Sequence, residues 1–111
     1  MIYNYPSTQE TFVSDYVQVA SMGTLTKLEL KVVSSLVRIY LEVQDWEYVF
    51  NATSYNRVYE ESGLTKKTNM YKVVTGLRKK NVIKDIEGVS EISRILIPQD
   101  DTTFGIKFIL K

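Results

Sequence analysis

Apolar side chains recur at three- and four-residue spacing from Thr26 to about Glu42, through Leu30, Val33, Leu36, Val37 and Tyr40, while Lys27, Lys31 and Arg38 take other positions. That is the period of an amphipathic helix. Its start is marked locally: Thr26 stands three residues before Glu29, and Leu25 and Leu30 flank the start, a capping box with a hydrophobic staple. Upstream, "TFVSDYVQVA" (11–20) is rich in β-branched and aromatic residues, with Val13, Val17 and Val19 two or four apart. This composition predicts a short strand, broken by "SMGT".

Beyond the long helix, "VQDWEYVFNAT" predicts a brief extended piece near Tyr48 to Phe50, with Trp46 anchoring the loop. Thr53 or Ser54 can cap a second helix running through Glu61, and Gly63 can take the left-handed conformation that ends it. A third helix is expected to begin around Thr65 to Thr68, bury Met70, Val73, Val74 and Leu77 on one stripe, and stop at Asn81. "VIKDI", "ISRILIP" and "FGIKFIL" then read as strands separated by "EGVSE" and "QDDTT". In the last of them Phe104, Ile106, Phe108 and Leu110 alternate with Gly105, Lys107 and Ile109, giving one buried face. Tyr40, Tyr48, Tyr55 and Tyr59 read as core packing.

Two helices joined by a glycine turn and followed by a hairpin is the layout of a winged helix-turn-helix. The expected fold is therefore α+β: a single domain over residues 1–111 with three helices, a short N-terminal strand and a C-terminal β-wing. Val58, Leu64, Met70, Val74, Leu77, Val82 and Ile83 would close a core under the motif. Lys66, Lys67, Asn69, Tyr71, Lys72, Thr75, Arg78 and Lys79 are left outside it.

Charge sharpens this picture. The net charge is only +1, but residues 1–63 carry four Lys/Arg against eight Asp/Glu, and residues 64–111 carry ten against five. A basic C-terminal half suits a polyanion. The chain has no Cys and no His, which removes a Cys/His zinc site and the usual nucleophile–base pairs. An enzyme is disfavoured, and no cofactor or metal is implied; Asp100 and Asp101 read as turn residues. No apolar run approaches the roughly 18 residues of a membrane span, and "MIYNYPSTQE" lacks a secretion signal. A cytoplasmic protein with no membrane partner is expected.

The arrangement resembles the winged-helix replication initiators of Gram-positive plasmids, the RepL family, and related phage proteins. The resemblance runs over about residues 12–97, through "FVSDYVQV", "LTKLELKVVSSL" and "VYEESGLTKKTNMYKVVTGLRKKNVI". Val58-Tyr59 stands where the family has Ile-Ala, "SGLT" forms the turn, and "LRKKNVI" matches the exit. Asn81 replaces the family's Gly, Tyr59 a small residue, and the Leu64 to Ile83 segment is one residue longer. The resemblance implies DNA binding in plasmid or phage replication.

On this reading Lys67, Asn69, Tyr71, Lys72 and Thr75 are the groove-contacting set, with donors and methyls suited to base edges. Lys66, Arg78, Lys79 and Lys80 are assigned to phosphates, with Arg94 in the wing region. The expected function is sequence-specific binding of double-stranded DNA, in replication control or transcription regulation, by a homodimer reading paired half-sites. The alternative is a winged-helix module that docks a protein partner, such as a polymerase subunit or another regulator. It draws on "DIEGVSE", whose three acids and no base would be repelled by phosphate.

Overall fold

The computed structural model describes residues 3–63, 67–98, 102–103 and 106–110. The first strand, β1 (Tyr3–Ser7), leads into α1 (Phe12–Ala20). The strand expected over 11–20 is therefore a helix. Its composition favours a strand, but Val13, Tyr16, Val17 and Ala20 fall on one helical face and all are buried; burial at the three-to-four-residue period outweighs β-propensity. Its first turn is fixed by Asp15, whose carboxylate accepts from Ser7 Oγ at 2.6 Å and Thr11 Oγ1 at 3.1 Å.

The capping box behaves as its residues require. The Thr26 N–H donates to Glu29 Oε1 at 2.8 Å and the Glu29 N–H to Thr26 Oγ1 at 3.2 Å, opening α2 (Lys27–Val43). This helix is the spine of the core: Val32, Val33, Leu36, Val37 and Ile39 are fully buried. Gln44, in the left-handed region at φ 55°, ends it.

The extended piece expected near Tyr48 to Phe50 is instead a single helical turn, α3 (Trp46–Val49), capped by Asp45 Oδ1 accepting from the Glu47 N–H at 3.1 Å. Next comes α4 (Ala52–Ser62), capped by Asn51 rather than by Thr53 or Ser54. Asn51 Oδ1 accepts from the Ser54 N–H at 2.9 Å, while Ser54 Oγ turns inward to the Tyr48 carbonyl at 2.6 Å. Gly63, at φ 78°, closes α4 as its lack of a side chain allows.

Salt links lock α4 onto α2. Arg57 grips Glu42 with two hydrogen bonds of 2.6 and 2.7 Å and reaches Glu61 at 3.3 Å, and Glu61 also receives Arg38 and Ser35 Oγ. Two carboxylates and two guanidinium groups thus bridge three turns of the pair.

After α5 (Lys67–Lys79) the chain reverses at Asn81, φ 62°, where the Val82 N–H returns to the Leu77 carbonyl at 2.9 Å. The hairpin of β2 (Ile83–Ile86) and β3 (Val89–Ile92) turns on Glu87 and Gly88, both at positive φ, the two-residue geometry that matches strand twist. The second strand therefore starts at Val89, earlier than expected, and Arg94–Leu96 forms a 3-10 turn where "ISRILIP" suggested a strand.

The last described strands, β4 (Thr102–Thr103) and β5 (Ile106–Leu110), make with β1 a separate sheet of order β1-β5-β4, β1 and β5 running parallel. Phe108 is its keystone: buried, it meets the rings of Tyr5, Phe12 and Tyr16 at 5.3, 5.4 and 5.6 Å. The architecture is α+β, with five α-helices among the described residues rather than the three expected. No helix of the described residues is long and apolar enough to cross a membrane.

Candidate nucleic-acid interface

The sequence of α5 contains four cations and no acid. Met70, Val73, Val74 and Leu77 form the buried stripe, as the periodicity anticipates. Their spacing sets which positions are left for solvent.

On the opposite side, Lys72 and Lys79 stand one and a half to two turns apart, exposed, and neither makes an ion pair or side-chain hydrogen bond among the described residues. Tyr71 is 76% exposed. Thr75 is half-buried and faces α4. These four candidates lie together on or beside one helix face. Lys67 and Asn69 belong to the backbone of α5 but their side chains lie outside the described residues, as does Lys66 altogether.

Two further cations, Arg78 and Lys80, are held by the protein. Arg78 donates to Asp85 Oδ1 at 2.7 Å and Ser90 Oγ at 2.9 Å, and Ser90 Oγ donates to the same Asp85 oxygen at 2.7 Å. This fork ties α5 to both strands of the hairpin. Hydrogen bonding from Arg78, then from Ser90, holds the Asp85 carboxyl below its ordinary range. One of the three acids that argued against the hairpin touching phosphate is thereby compensated. Of the others, Glu91 is the register partner of Lys84, and Glu87 sits exposed at the turn.

Lys80 donates to Glu29 Oε1 at 2.6 Å and to the Thr24 carbonyl at 3.0 Å. Arg94 lies on the 3-10 turn beside Tyr40 and Trp46 rather than with the α5 group.

Between α4 and α5 runs a groove of about 600 Å³ lined by Tyr55, Tyr59, Met70, Tyr71, Val74, Thr75 and Arg78. Tyr55 and Tyr59 are partly buried against the core, as expected, but they also form this outer wall. The signal was present in the sequence: Tyr55 and Tyr59 are four apart on α4, as Tyr71 and Thr75 are on α5. Burial pushes the Tyr55 hydroxyl above its ordinary value of 10.0, against the opposing charge of Arg78. It is a neutral hydroxyl at neutral pH. Tyr48, also assigned to the core, is exposed instead.

Among the described residues no three His, Cys, Asp or Glu side chains converge to hold a metal ion. The arrangement offers point charges, hydroxyls and a helix face. No protein-family model, curated protein or solved structure matches the chain.

Proposed function

We propose that the protein binds double-stranded DNA as a winged helix-turn-helix protein, with α5 in the major groove, and acts in phage or plasmid replication control or transcription regulation. The observation that carries the reading is the acid-free helix α5, anchored by Met70, Val73, Val74 and Leu77 and presenting Lys72 and Lys79 with Tyr71 to solvent. Its place after the α4 turn and before a hairpin is where such proteins carry their recognition helix. Replication, rather than another use of the fold, rests on the RepL resemblance.

In this reading Lys72, expected from sequence in the groove set, joins Lys79 in neutralising phosphates, Tyr71 and Thr75 approach the groove together with Lys67 and Asn69, and Arg78, expected on a phosphate, holds the hairpin beside the helix through Asp85 and Ser90. The hairpin itself supports a second reading. Its tip offers Ile86, half exposed, next to Glu87, an apolar and acidic surface that suits a protein partner better than a phosphate backbone.

Titration of a labelled random duplex at several salt concentrations tests the first reading. Binding at low salt, weakening by about 0.9 log units per phosphate contact for each tenfold rise in salt, is the expected result. No binding at low salt, or binding without a salt slope, overturns it. Selection of bound sequences from a random duplex pool then gives the site and its half-site symmetry.

A further inference from the structure

Away from α5, the C-terminal end of α2, α3, β3 and the 3-10 turn enclose a second cavity of about 550 Å³. One wall is aromatic: the rings of Tyr40 and Trp46 stack with centroids 3.9 Å apart and planes 14° from parallel. Leu41, Ile97 and Pro98 add apolar surface. Into the same space Glu91 and Arg94 bring opposite charges.

Among the described residues these two charges form no ion pair with each other or with any third group. Lys84 is the register partner of Glu91 across the hairpin but does not reach it. A carboxylate and a guanidinium held apart beside apolar walls are each left to water. An occupant carrying one charge would answer one of them; an occupant carrying both would answer both at once. Arg94 supplies the planar fork that matches a carboxylate. Glu91 supplies the acceptor for an ammonium group, and the Tyr40–Trp46 wall takes an apolar or aromatic side chain. The cavity has the size of small-molecule sites, and Gln44 joins Glu91 and Arg94 in a lining that is more polar than apolar, with apolar and aromatic surface concentrated on the Tyr40–Trp46 side.

We propose that this cavity binds a free α-amino acid with a large apolar side chain, its carboxylate on Arg94, its ammonium on Glu91 and its side chain against Trp46. The proposal is independent of the DNA reading.

Trp46 is the single tryptophan of the chain, so its emission reports on this wall alone. L-phenylalanine is titrated against phenethylamine, which lacks the carboxylate, and 3-phenylpropionate, which lacks the ammonium, with calorimetry as a second readout. L-phenylalanine is expected to bind saturably, and each single-charge analogue about tenfold or more weaker, as loss of one charge-assisted hydrogen bond requires. Arg94→Gln should weaken L-phenylalanine and 3-phenylpropionate while sparing phenethylamine, and Glu91→Gln should weaken L-phenylalanine and phenethylamine while sparing 3-phenylpropionate. No saturable binding of L-phenylalanine by either readout overturns the proposal. So does equal affinity for all three probes, or an Arg94→Gln protein that binds L-phenylalanine as the wild type does.

Discussion

The ammonium of Lys80 lies 2.6 Å from the carboxylate of Glu29, joining the residue just past α5 to the capping box that opens α2 across fifty-one positions of sequence. Glu29 is only 7% exposed. Without Lys80 its charge would be answered only by the Thr26 N–H, in a position that water reaches poorly. Lys80 is therefore a structural cation, which gives the first prediction. Lys80→Ala should lower unfolding free energy by about 1 kcal/mol, less than a charged hydrogen bond ordinarily contributes, since the lysine itself is well exposed. Urea unfolding measures it, and an unchanged midpoint would show that the pair contributes nothing.

The acid limb of stability follows from the same group and two others. At Glu29 burial opposes ionisation, but hydrogen bonds from Lys80 and the Thr26 N–H outweigh it and leave the carboxyl below its ordinary 4.5. Glu42 is lowered by the hydrogen bonds of Arg57, and Asp85 by those of Arg78 and Ser90. In each case the unfolded chain takes up a proton at a higher pH than the folded one does. Their stabilisation is complete above the ordinary carboxylate values and is lost as pH falls through them toward the folded values. The urea midpoint should hold down to about pH 6 and drop steadily toward about pH 3, and Glu42→Gln should start lower and fall less. A midpoint flat across that range contradicts the prediction.

What the chain announced and what it concealed divide along the range of the interaction. The capping box of Thr26 and Glu29, the end of α4 at Gly63, the reversal at Asn81 and the buried stripe of α5 are all set within a few residues, and each was readable. The exposure of Tyr71, Lys72, Arg78 and Lys79 was readable for the same reason. Residues 11–20 have the composition of a strand, but Phe12–Ala20 is a helix because the spacing of its apolar residues outweighs their type. Val13, Tyr16, Val17 and Ala20 already marked one helical face. The use of Arg78 and Lys80 within the protein was not readable, because their partners Asp85, Ser90 and Glu29 are brought near only by the fold. Nor was the parallel pairing of β1 with β5, which spans nearly the whole chain and rests on the Phe108 ring cluster.

Gly76 shows how closely the Glu29 site is packed. A Cβ at this position would stand 3.3 Å from Glu29 Oε2, and Glu29 is held by Thr26 and Lys80 and has little freedom to retreat. Alanine in a helix interior is otherwise favoured over glycine by about 1 kcal/mol. Gly76→Ala should therefore add close to that amount in a Glu29→Ala background and much less, or a net loss, in the wild type. A double-mutant cycle on urea stability measures the difference, and identical increments in both backgrounds would show that no crowding exists.

The basic positions near α5 should separate into two classes when tested on DNA, and this partition is the sharpest consequence of the structure. Lys72 and Lys79 are free of intramolecular partners among the described residues, so Lys72→Ala and Lys79→Ala should each lower the salt slope of duplex binding by about 0.9 with little change in stability. Lys80→Ala should do the opposite, lowering stability while leaving the slope intact, because its charge is already engaged by Glu29. Arg78→Ala should combine both: it frees Asp85 at the edge of the interface and unties the hairpin, so binding weakens by more than one phosphate contact. Anisotropy titrations of the four variants at three salt concentrations, beside their urea curves, decide the matter. If Lys80→Ala lowers the slope as much as Lys72→Ala does, the division between structural and DNA-facing cations is wrong.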